Sequence, residues 1–344
     1  MEPDRASLGH THPMRIRRAA VSVILLITAS LALAALTPPN GSSPIASAEV
    51  VADPVVAAVG DFACDPADTR FANGAGTSTA CQQKGTSDAL LADTTVSSVL
   101  GLGDFQYDCG DLADYEVSYT PTWGRVNDRM VPVAGNHEYK TGVNAFGTQC
   151  PSSNATATNF FNYFGTAAHP DTAGHFSFDI NSWHFIGLNA NCAMSGVGGC
   201  SAKATQTKWL AADLAANTQP CIAAFWHQPY YTGLKTGRNK AYQAWWKVLY
   251  SAGADVVLNG HVHNYQRFAA MNPYAVADPA GITQYIVGTG GEAMASASSA
   301  AVPLPVVWKK SFGYARFTLH ATGWDMDFIS SSGSVLDTSS GTCH

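Results

Sequence analysis

Short runs of apolar residues recur along the chain from Val55 onward, and each run is followed at once by polar residues. Five of these runs are three to five residues long and rich in β-branched side chains, a pattern typical of buried strands. The predicted strands are Val55–Val59, Ser98–Leu102, Met130–Val133, Ile222–Phe225 and Val256–Leu258. Two other segments, Thr205–Ala216 and Tyr242–Ser251, space their apolar residues as amphipathic helices do.

Two further pairs of apolar stretches are separated only by turn-like residues, and this pattern predicts antiparallel hairpins. The pairs are Gly174–Ile180 with Trp183–Leu188, and Tyr314–Leu319 with Trp324–Ile329. The Ala/Ser-rich stretch Ala293–Ala301 is expected to be a loop. Alternating strands and helices with inserted hairpins predict the α/β class, as a mixed β-sandwich flanked by helices in a single domain over residues 49–344.

The N-terminal residues have the pattern of an export signal. A basic stretch from Met14 to Arg18 precedes the uncharged, mostly apolar run Ala19–Leu36, and Ala46-Ser47-Ala48 has the small residues of a cleavage site. We therefore expect residues 1–48 to be a signal peptide, with the mature chain starting near residue 49 and lying outside the cell or in the cell envelope. The alternative is a transmembrane anchor, because about 18 apolar residues just span a bilayer.

The composition narrows the class of protein. Of 344 residues 46% are hydrophobic, which is too many for a disordered chain. The 19 Lys and Arg against 25 Asp and Glu give a net charge of −6, which argues against nucleic acid as a partner. All eight cysteines follow residue 48, and an even number in an exported chain favours four disulfides. Their pairing stays open, although Cys192 and Cys200 form the shortest loop.

Polar side chains of the types that commonly bind metal ions follow each of the five predicted strands. They are Asp61, then Asp104 and Tyr107, then Asn136, His137 and Glu138, then His227, and finally His261 and His263. In open α/β sheets the carboxyl ends of the strands meet at one crevice, so we expect these side chains to converge. The set contains enough oxygen and nitrogen donors for two metal ions that share one carboxylate.

In this order, the motifs resemble those of the calcineurin-like metallophosphoesterases and, within them, the purple acid phosphatases. The matching segments are Asp61-Phe62-Ala63, Gly103-Asp104-Phe105-Gln106-Tyr107, Gly135-Asn136-His137-Glu138, the strand-end His227 and Gly260-His261-Val262-His263. One departure is Ala63, which stands where the family usually has glycine. The resemblance is to the smaller members of the family that have one catalytic domain, with the αββα metallophosphoesterase architecture.

The resemblance implies one metal ion held by Asp61, Asp104, Tyr107 and His263, and a second held by Asp104, Asn136, His227 and His261. Asp104 bridges the two ions in this assignment. A phenol gives up its proton to a strongly Lewis-acidic ion, so Tyr107 favours Fe(III) at the first position. Zn, Mn and Fe(II) all remain open for the second ion.

The reaction that the resemblance implies is hydrolysis of small-molecule phosphate monoesters by a metal-bound hydroxide. His137 would contact the phosphate or protonate the leaving group, and Glu138 would orient His137 or a ligand. Lys235 and Arg238 either hold a phosphate or are solvated loop charges. A phosphodiesterase or nucleotide hydrolase on the same two metal ions is the enzyme alternative, and a phosphate-binding envelope protein is the alternative of another class. No membrane span is expected after signal cleavage, and the oligomeric state stays open.

Overall fold

The computed structural model describes residues 52–235, 237–298 and 301–344. The predicted signal peptide, residues 1–48, and the predicted start of the mature chain near residue 49 lie outside the described residues. Within the described ranges, every helix is too short or too polar to cross a bilayer.

The described residues form fifteen strands and several short helices. In chain order the strands are β1 (Val55–Val59), β2 (Val96–Gly101), β3 (Met130–Pro132), β4 (Gly142–Val143), β5 (Gln149–Cys150), β6 (Phe176–Ile180), β7 (Trp183–Gly187), β8 (Cys221–Phe225), β9 (Val256–Asn259), β10 (Tyr265–Arg267), β11 (Thr283–Val287), β12 (Val307–Lys309), β13 (Gly313–His320), β14 (Gly323–Ser330) and β15 (Val335–Thr342). The α-helices are α1 (Gln83–Ala92), α2 (Leu112–Asp114), α3 (Thr158–Phe164), α4 (Thr205–Ala216) and α5 (Gln243–Ser251).

Two mixed sheets pack face to face. The first has the strand order β15-β14-β13-β1-β2-β3, and the second has the order β12-β10-β11-β9-β8-β7-β6. In the first sheet β1, β2 and β3 are parallel, and in the second β7, β8, β9 and β11 are parallel. The predicted hairpins are present as the antiparallel pairs β6–β7 and β13–β14.

Three apolar cores explain the layered arrangement. The inner faces of both sheets meet in one core, to which Leu100 and Phe225 belong. The outer face of the second sheet packs on α4 and α5 through residues such as Leu210 and Trp246. The outer face of the first sheet packs on α1 and the segments around Trp123. Helices, sheet, sheet and helices therefore form four layers, which confirms the predicted α/β sandwich.

All eight cysteines form disulfides, which confirms the expected number. The pairs are Cys64–Cys81, Cys109–Cys150, Cys192–Cys200 and Cys221–Cys343. Cys64 lies three residues after Asp61 and Cys109 two residues after Tyr107, so two of the bridges fix the loops that follow β1 and β2.

Candidate metal centre

The predicted ligands lie together at the carboxyl ends of five strands, but these strands belong to two sheets and not to one open sheet. β1, β2 and β3 of the first sheet carry the first three motifs, and β8 and β9 of the second sheet carry the last two. The loops are joined by backbone hydrogen bonds, from Asp61 N to Gly103 O (3.0 Å) and from Gly260 N to His227 O (3.0 Å). Both sheets therefore contribute side chains to one site at the open end of the sandwich.

One cluster of donor atoms surrounds the Tyr107 hydroxyl. The hydroxyl oxygen of Tyr107 lies 2.7 Å from Asp61 Oδ1, 2.9 Å from Asp104 Oδ2 and 3.0 Å from His263 Nε2. His263 Nε2 lies 3.1 Å from Asp61 Oδ1. A phenol has one hydrogen to donate, so it cannot satisfy two carboxylates and an imidazole nitrogen together.

A second cluster surrounds Nε2 of His227. This atom lies 3.0 Å from Asp104 Oδ2, 3.1 Å from Asn136 Oδ1 and 3.2 Å from His261 Nδ1. Asp104 Oδ2 is thus a member of both clusters. The two groups of four donors that the resemblance implied are present as two adjacent groups that meet at this one oxygen.

Contacts behind the clusters fix the direction in which the side chains point. His227 Nδ1 lies 2.8 Å from the carbonyl oxygen of Leu102, and His263 Nδ1 lies 2.8 Å from that of Ala293. Each ring therefore turns its other nitrogen toward the site, as metal-binding histidines do. The carboxylates are held in the same way, because Asp61 Oδ2 accepts the backbone N–H of His261 (2.7 Å) and Asp104 Oδ1 accepts that of His137 (2.8 Å).

Three of the proposed ligands have a strained backbone. Asp61, Asp104 and His261 have φ angles of 63°, 54° and 70°, in the left-handed region that side chains rarely adopt. The neighbouring chain approaches very closely, since a Cβ on Gly135 would lie 2.1 Å from Asp104 Oδ1. Glycine is therefore required at position 135, directly before the proposed ligand Asn136.

The buried charges of the site depend on one another. Burial would lower the pKa of both His227 and His263, but Asp104 beside the first and Asp61 beside the second raise the pKa of each to about 9. Burial, together with the charges of Asp104 and Asp61, raises the pKa of Tyr107 well above its ordinary value. The carboxylates and these two imidazoles therefore stabilise each other's charged forms.

This donor set fits two metal ions. Four oxygen donors and three imidazole nitrogens face each other, and several of their contacts compete for the same hydrogen. Cations would satisfy all these lone pairs at once, and carboxylate, phenolate and imidazole donors together suit iron, zinc and manganese. The shared Asp104 oxygen has the position of a bridging ligand.

His137 lies beside the clusters, with its Nε2 atom 4.0 Å from Asp104 Oδ2. Its Nδ1 atom lies 2.6 Å from the carbonyl oxygen and 3.0 Å from Oδ1 of Asp108. Lys140 Nζ contacts the same carboxylate oxygen at 2.7 Å, and Ala145 N donates to the other at 2.8 Å. Asp108 therefore fixes the ring of His137. The motif comparison missed Asp108, although an acidic residue directly after Tyr107 was a signal for it.

Glu138 does not orient His137, which corrects one of the two roles expected for it. Its buried carboxylate accepts the backbone N–H groups of Asp104 (3.0 Å), Phe105 (2.8 Å) and Gly135 (2.6 Å). Burial and the charge of Asp104 raise its pKa to about 7. Glu138 thus holds together the loops after β2 and β3 and positions the backbone of Asp104. All three contacts are to backbone groups, and none of them involves the imidazole of His137.

A narrow cleft of about 160 Å³ opens beside Tyr107. Its walls include Asp68, Arg70, Asp108, Phe146 and Glu292. The only cation among these wall residues, Arg70, is paired with Asp68, whose Oδ2 atom lies 2.6 Å from Arg70 Nη2. Lys235 and Arg238, which the sequence offered as phosphate contacts, do not line this cleft. Lys235 is exposed, and Arg238 lies over the ring of Tyr230 at 6.0 Å.

Replacing Asp108 by Asn is expected to lower kcat about 10-fold to 100-fold while the metal content stays unchanged. The amide keeps the shape of the side chain but loses the charge that holds His137 and Lys140. Steady-state kinetics with an aryl phosphate, together with metal analysis, measures both quantities. Lys140→Gln is the matched control for a merely structural role. It breaks the ion pair between Lys140 and Asp108 and leaves the contact between Asp108 and His137 in place. Equal losses in the two variants would contradict a positioning role for Asp108.

A family model and the sequences of known proteins indicate the same family for this chain. The model of the calcineurin-like phosphoesterase family matches residues 58–265. Purple acid phosphatase 15 of Arabidopsis thaliana is 30% identical over 221 residues, covering 59% of this chain and 39% of that protein. Acid phosphatase A of Cryphonectria parasitica is 27% identical, covering 72% of this chain and 63% of that protein. This chain thus spans less than two thirds of the length of both relatives.

A solved structure supports the fold. The purple acid phosphatase from yellow lupin (Lupinus luteus) seeds superposes with a TM-score of 0.60 at 17% identity. The match covers 84% of this chain and 53% of that one. The similarity extends beyond the five motifs to most of the sandwich.

Proposed function

The chain belongs to the calcineurin-like phosphoesterase family, and on that premise we propose that it is an exported phosphatase of the purple acid phosphatase type. In this proposal it hydrolyses phosphate monoesters at a centre of two metal ions. The observation that carries the proposal is the position of Asp104 Oδ2, 2.9 Å from the Tyr107 hydroxyl and 3.0 Å from His227 Nε2. One oxygen common to two complete sets of donors is what a bridging carboxylate requires.

We assign the ligands by these two clusters. Asp61, Asp104, Tyr107 and His263 would hold one ion, for which the phenol of Tyr107 favours Fe(III). Asp104, Asn136, His227 and His261 would hold the second, a divalent Zn, Mn or Fe. When bound, the two ions would supply the Lewis acidity that lowers the pKa of water and neutralises charge on a phosphoryl group.

The residues of the chain have distinct tasks in this reaction. The buried carboxylates and imidazoles hold their positions before a substrate arrives, because backbone groups of Leu102, Ala293 and His261 fix them. His137 uses Nδ1 to contact Asp108, which leaves Nε2 to donate a hydrogen bond to a phosphoryl oxygen or to protonate the leaving oxygen. Such preorganised donors act on charge that develops during the reaction.

Export is part of the proposal. Four disulfides in a single chain are common in oxidising compartments and rare in the cytosol. Together with the leader-like pattern of residues 1–48, they support secretion or a location in the cell envelope.

The substrate class can be tested with one pair of compounds. We expect kcat/KM for a simple aryl phosphate monoester to exceed that for the matching bis-aryl diester by at least about tenfold, which corresponds to about 1.4 kcal/mol in the barrier. A clear preference for the diester would contradict the proposed monoesterase activity and would favour a phosphodiesterase with the same two metal ions. Loss of activity toward both compounds after chelation, with recovery on adding metal, ties the measured turnover to the centre.

A further inference from the structure

The segment before and within β12 presents an apolar surface to solvent. Exposed and less exposed side chains alternate from residue 302 to 308, and the exposed ones are all apolar. They are Val302 (77% exposed), Leu304 (55%), Val306 (55%) and Trp308 (41%), which we call the apolar strip. A surface strand normally turns polar side chains outward, and this segment turns apolar ones outward instead. A contiguous group of exposed apolar residues is typical of an interaction site.

Cations accompany the apolar strip. Lys309 and Lys310 follow Trp308 directly, and Lys310 is exposed. The loop that carries Lys235 and Arg238 packs against the same segment, because a Cβ on Gly237 would lie 2.4 Å from Val302 O. The Lys and Arg side chains that form ion pairs in the described ranges are others, namely Arg70, Lys84, Arg125, Lys140, Arg267 and Arg316.

The local charge is opposite to that of the whole protein. The chain carries a net charge of −6, yet it has no Asp or Glu between residues 214 and 254 or between residues 293 and 324. These two stretches contain the apolar strip and all four of its cations. The acidic chain therefore has two stretches without acidic residues, and they carry the apolar strip and the four cations beside it.

We propose that the apolar strip and the cations Lys235, Arg238, Lys309 and Lys310 form a docking surface for an anionic lipid bilayer. Apolar side chains that enter the interface and basic side chains that meet anionic headgroups are the two parts of peripheral membrane binding. The long stems of lysine and arginine add apolar contact while their charges stay at the headgroups.

Other occupants fit these residues less well. A second copy of the chain on the same face would bring like charges together. It would also find a poor edge for strand pairing, since Pro303 and Pro305 have no N–H to donate. A soluble polyanion would use the cations but leave the four apolar side chains in water.

The apolar strip is connected to the candidate metal centre by the chain itself. Ala293 O lies 2.8 Å from His263 Nδ1, and Ala295 N donates to His263 O at 2.8 Å. Lys310 Nζ lies 3.5 Å from Ser296 Oγ on the same connection. The connection that supports His263 therefore leads into the docking surface. The inference rests on surface residues and holds independently of the proposed reaction.

Vesicle cosedimentation tests the proposal on the purified protein. Vesicles of equal parts phosphatidylglycerol and phosphatidylcholine are expected to bind it at low salt, and pure phosphatidylcholine vesicles to bind it at least about tenfold more weakly. Leu304→Ser with Trp308→Ser removes the apolar contact, and Lys309→Gln with Lys310→Gln removes two charges. Each pair is expected to weaken binding to the anionic vesicles about tenfold or more.

The matched controls are Val335→Ser, at an exposed apolar residue in β15, and Lys203→Gln with Lys208→Gln, at exposed lysines near α4. These variants are expected to bind as the unaltered protein does, and unchanged thermal unfolding of all variants shows that they fold. Equal vesicle binding by the strip variants and the unaltered protein would overturn the proposal. Weaker vesicle binding of the lysine variant alone would also overturn it, because it indicates a soluble polyanion as the partner. The same holds if the unaltered protein binds no vesicles but forms a dimer that only the strip variants lose.

Discussion

Replacing Asp104 by Asn is expected to lower kcat/KM for an aryl phosphate about a thousandfold or more and to reduce the bound metal well below two ions per chain. The Oδ2 atom of Asp104 belongs to both donor clusters, so the loss of its charge weakens both positions at once. A thousandfold loss corresponds to about 4 kcal/mol of transition-state stabilisation, which is the size expected when the neutralisation of phosphoryl charge fails. Steady-state kinetics and elemental analysis of the same preparation measure the two effects.

Asp128→Asn is the matched control for this change. Asp128 is an exposed aspartate outside the site, so its variant is expected to keep both the metal content and the turnover. Thermal unfolding separates a damaged site from a damaged fold, because Asp104 is fully buried and its Oδ1 atom accepts the backbone N–H of His137, a contact that the asparagine has to keep. If Asp104→Asn retained two ions and full turnover, the bridging assignment would be wrong.

Replacing His137 by Ala is expected to have the second largest effect, a fall in kcat of about 10²-fold to 10⁴-fold with both metal ions retained. His137 lies next to the donor clusters but is not a member of either, since its Nε2 atom is 4.0 Å from Asp104 Oδ2. Its removal therefore takes away a donor to the phosphate or to the leaving oxygen and leaves all seven proposed ligands in place.

Comparison of turnover with metal content decides the role of His137. His320→Ala is a suitable control, because His320 is a half-buried histidine held between Asp53 (2.6 Å) and Asp325 (3.0 Å) away from the site. That variant is expected to keep both properties. Parallel loss of metal and turnover in His137→Ala would make His137 a structural residue and would remove it from the proposed reaction.

The strand ends and their polar residues could be predicted from sequence because each motif is local. Val55–Val59 was predicted with its observed bounds, and Asp61 follows it within two residues. The helix Thr205–Ala216 was also predicted with its observed bounds, since its apolar residues repeat on one face. Such patterns depend only on neighbours along the chain, and they were sufficient to predict that the proposed ligands lie close together.

Features that depend on distant contacts or on polar residues were not predicted. The sequence did not indicate α1, which has Lys84, Gly85 and Asp88 among few apolar residues, or β15, a polar edge strand. Nothing in the sequence showed that two sheets share the site. The contact of Asp108 with His137 joins residues 29 positions apart and could be seen only in three dimensions. Of the two roles expected for Glu138, only the positioning of a proposed ligand agrees with the structure. Its place in the motif does not show which groups its carboxylate contacts.

Metal analysis and a visible absorption spectrum of protein purified without chelators decide whether the chain holds two metal ions with Tyr107 as a ligand. We expect about two ions per chain including iron, and a tyrosinate-to-iron charge-transfer band that Tyr107→Phe loses and Tyr274→Phe, at an exposed tyrosine, keeps. Two zinc or manganese ions without colour would contradict the Fe(III) assignment. Protein that binds no metal even after metal is added would contradict the centre itself.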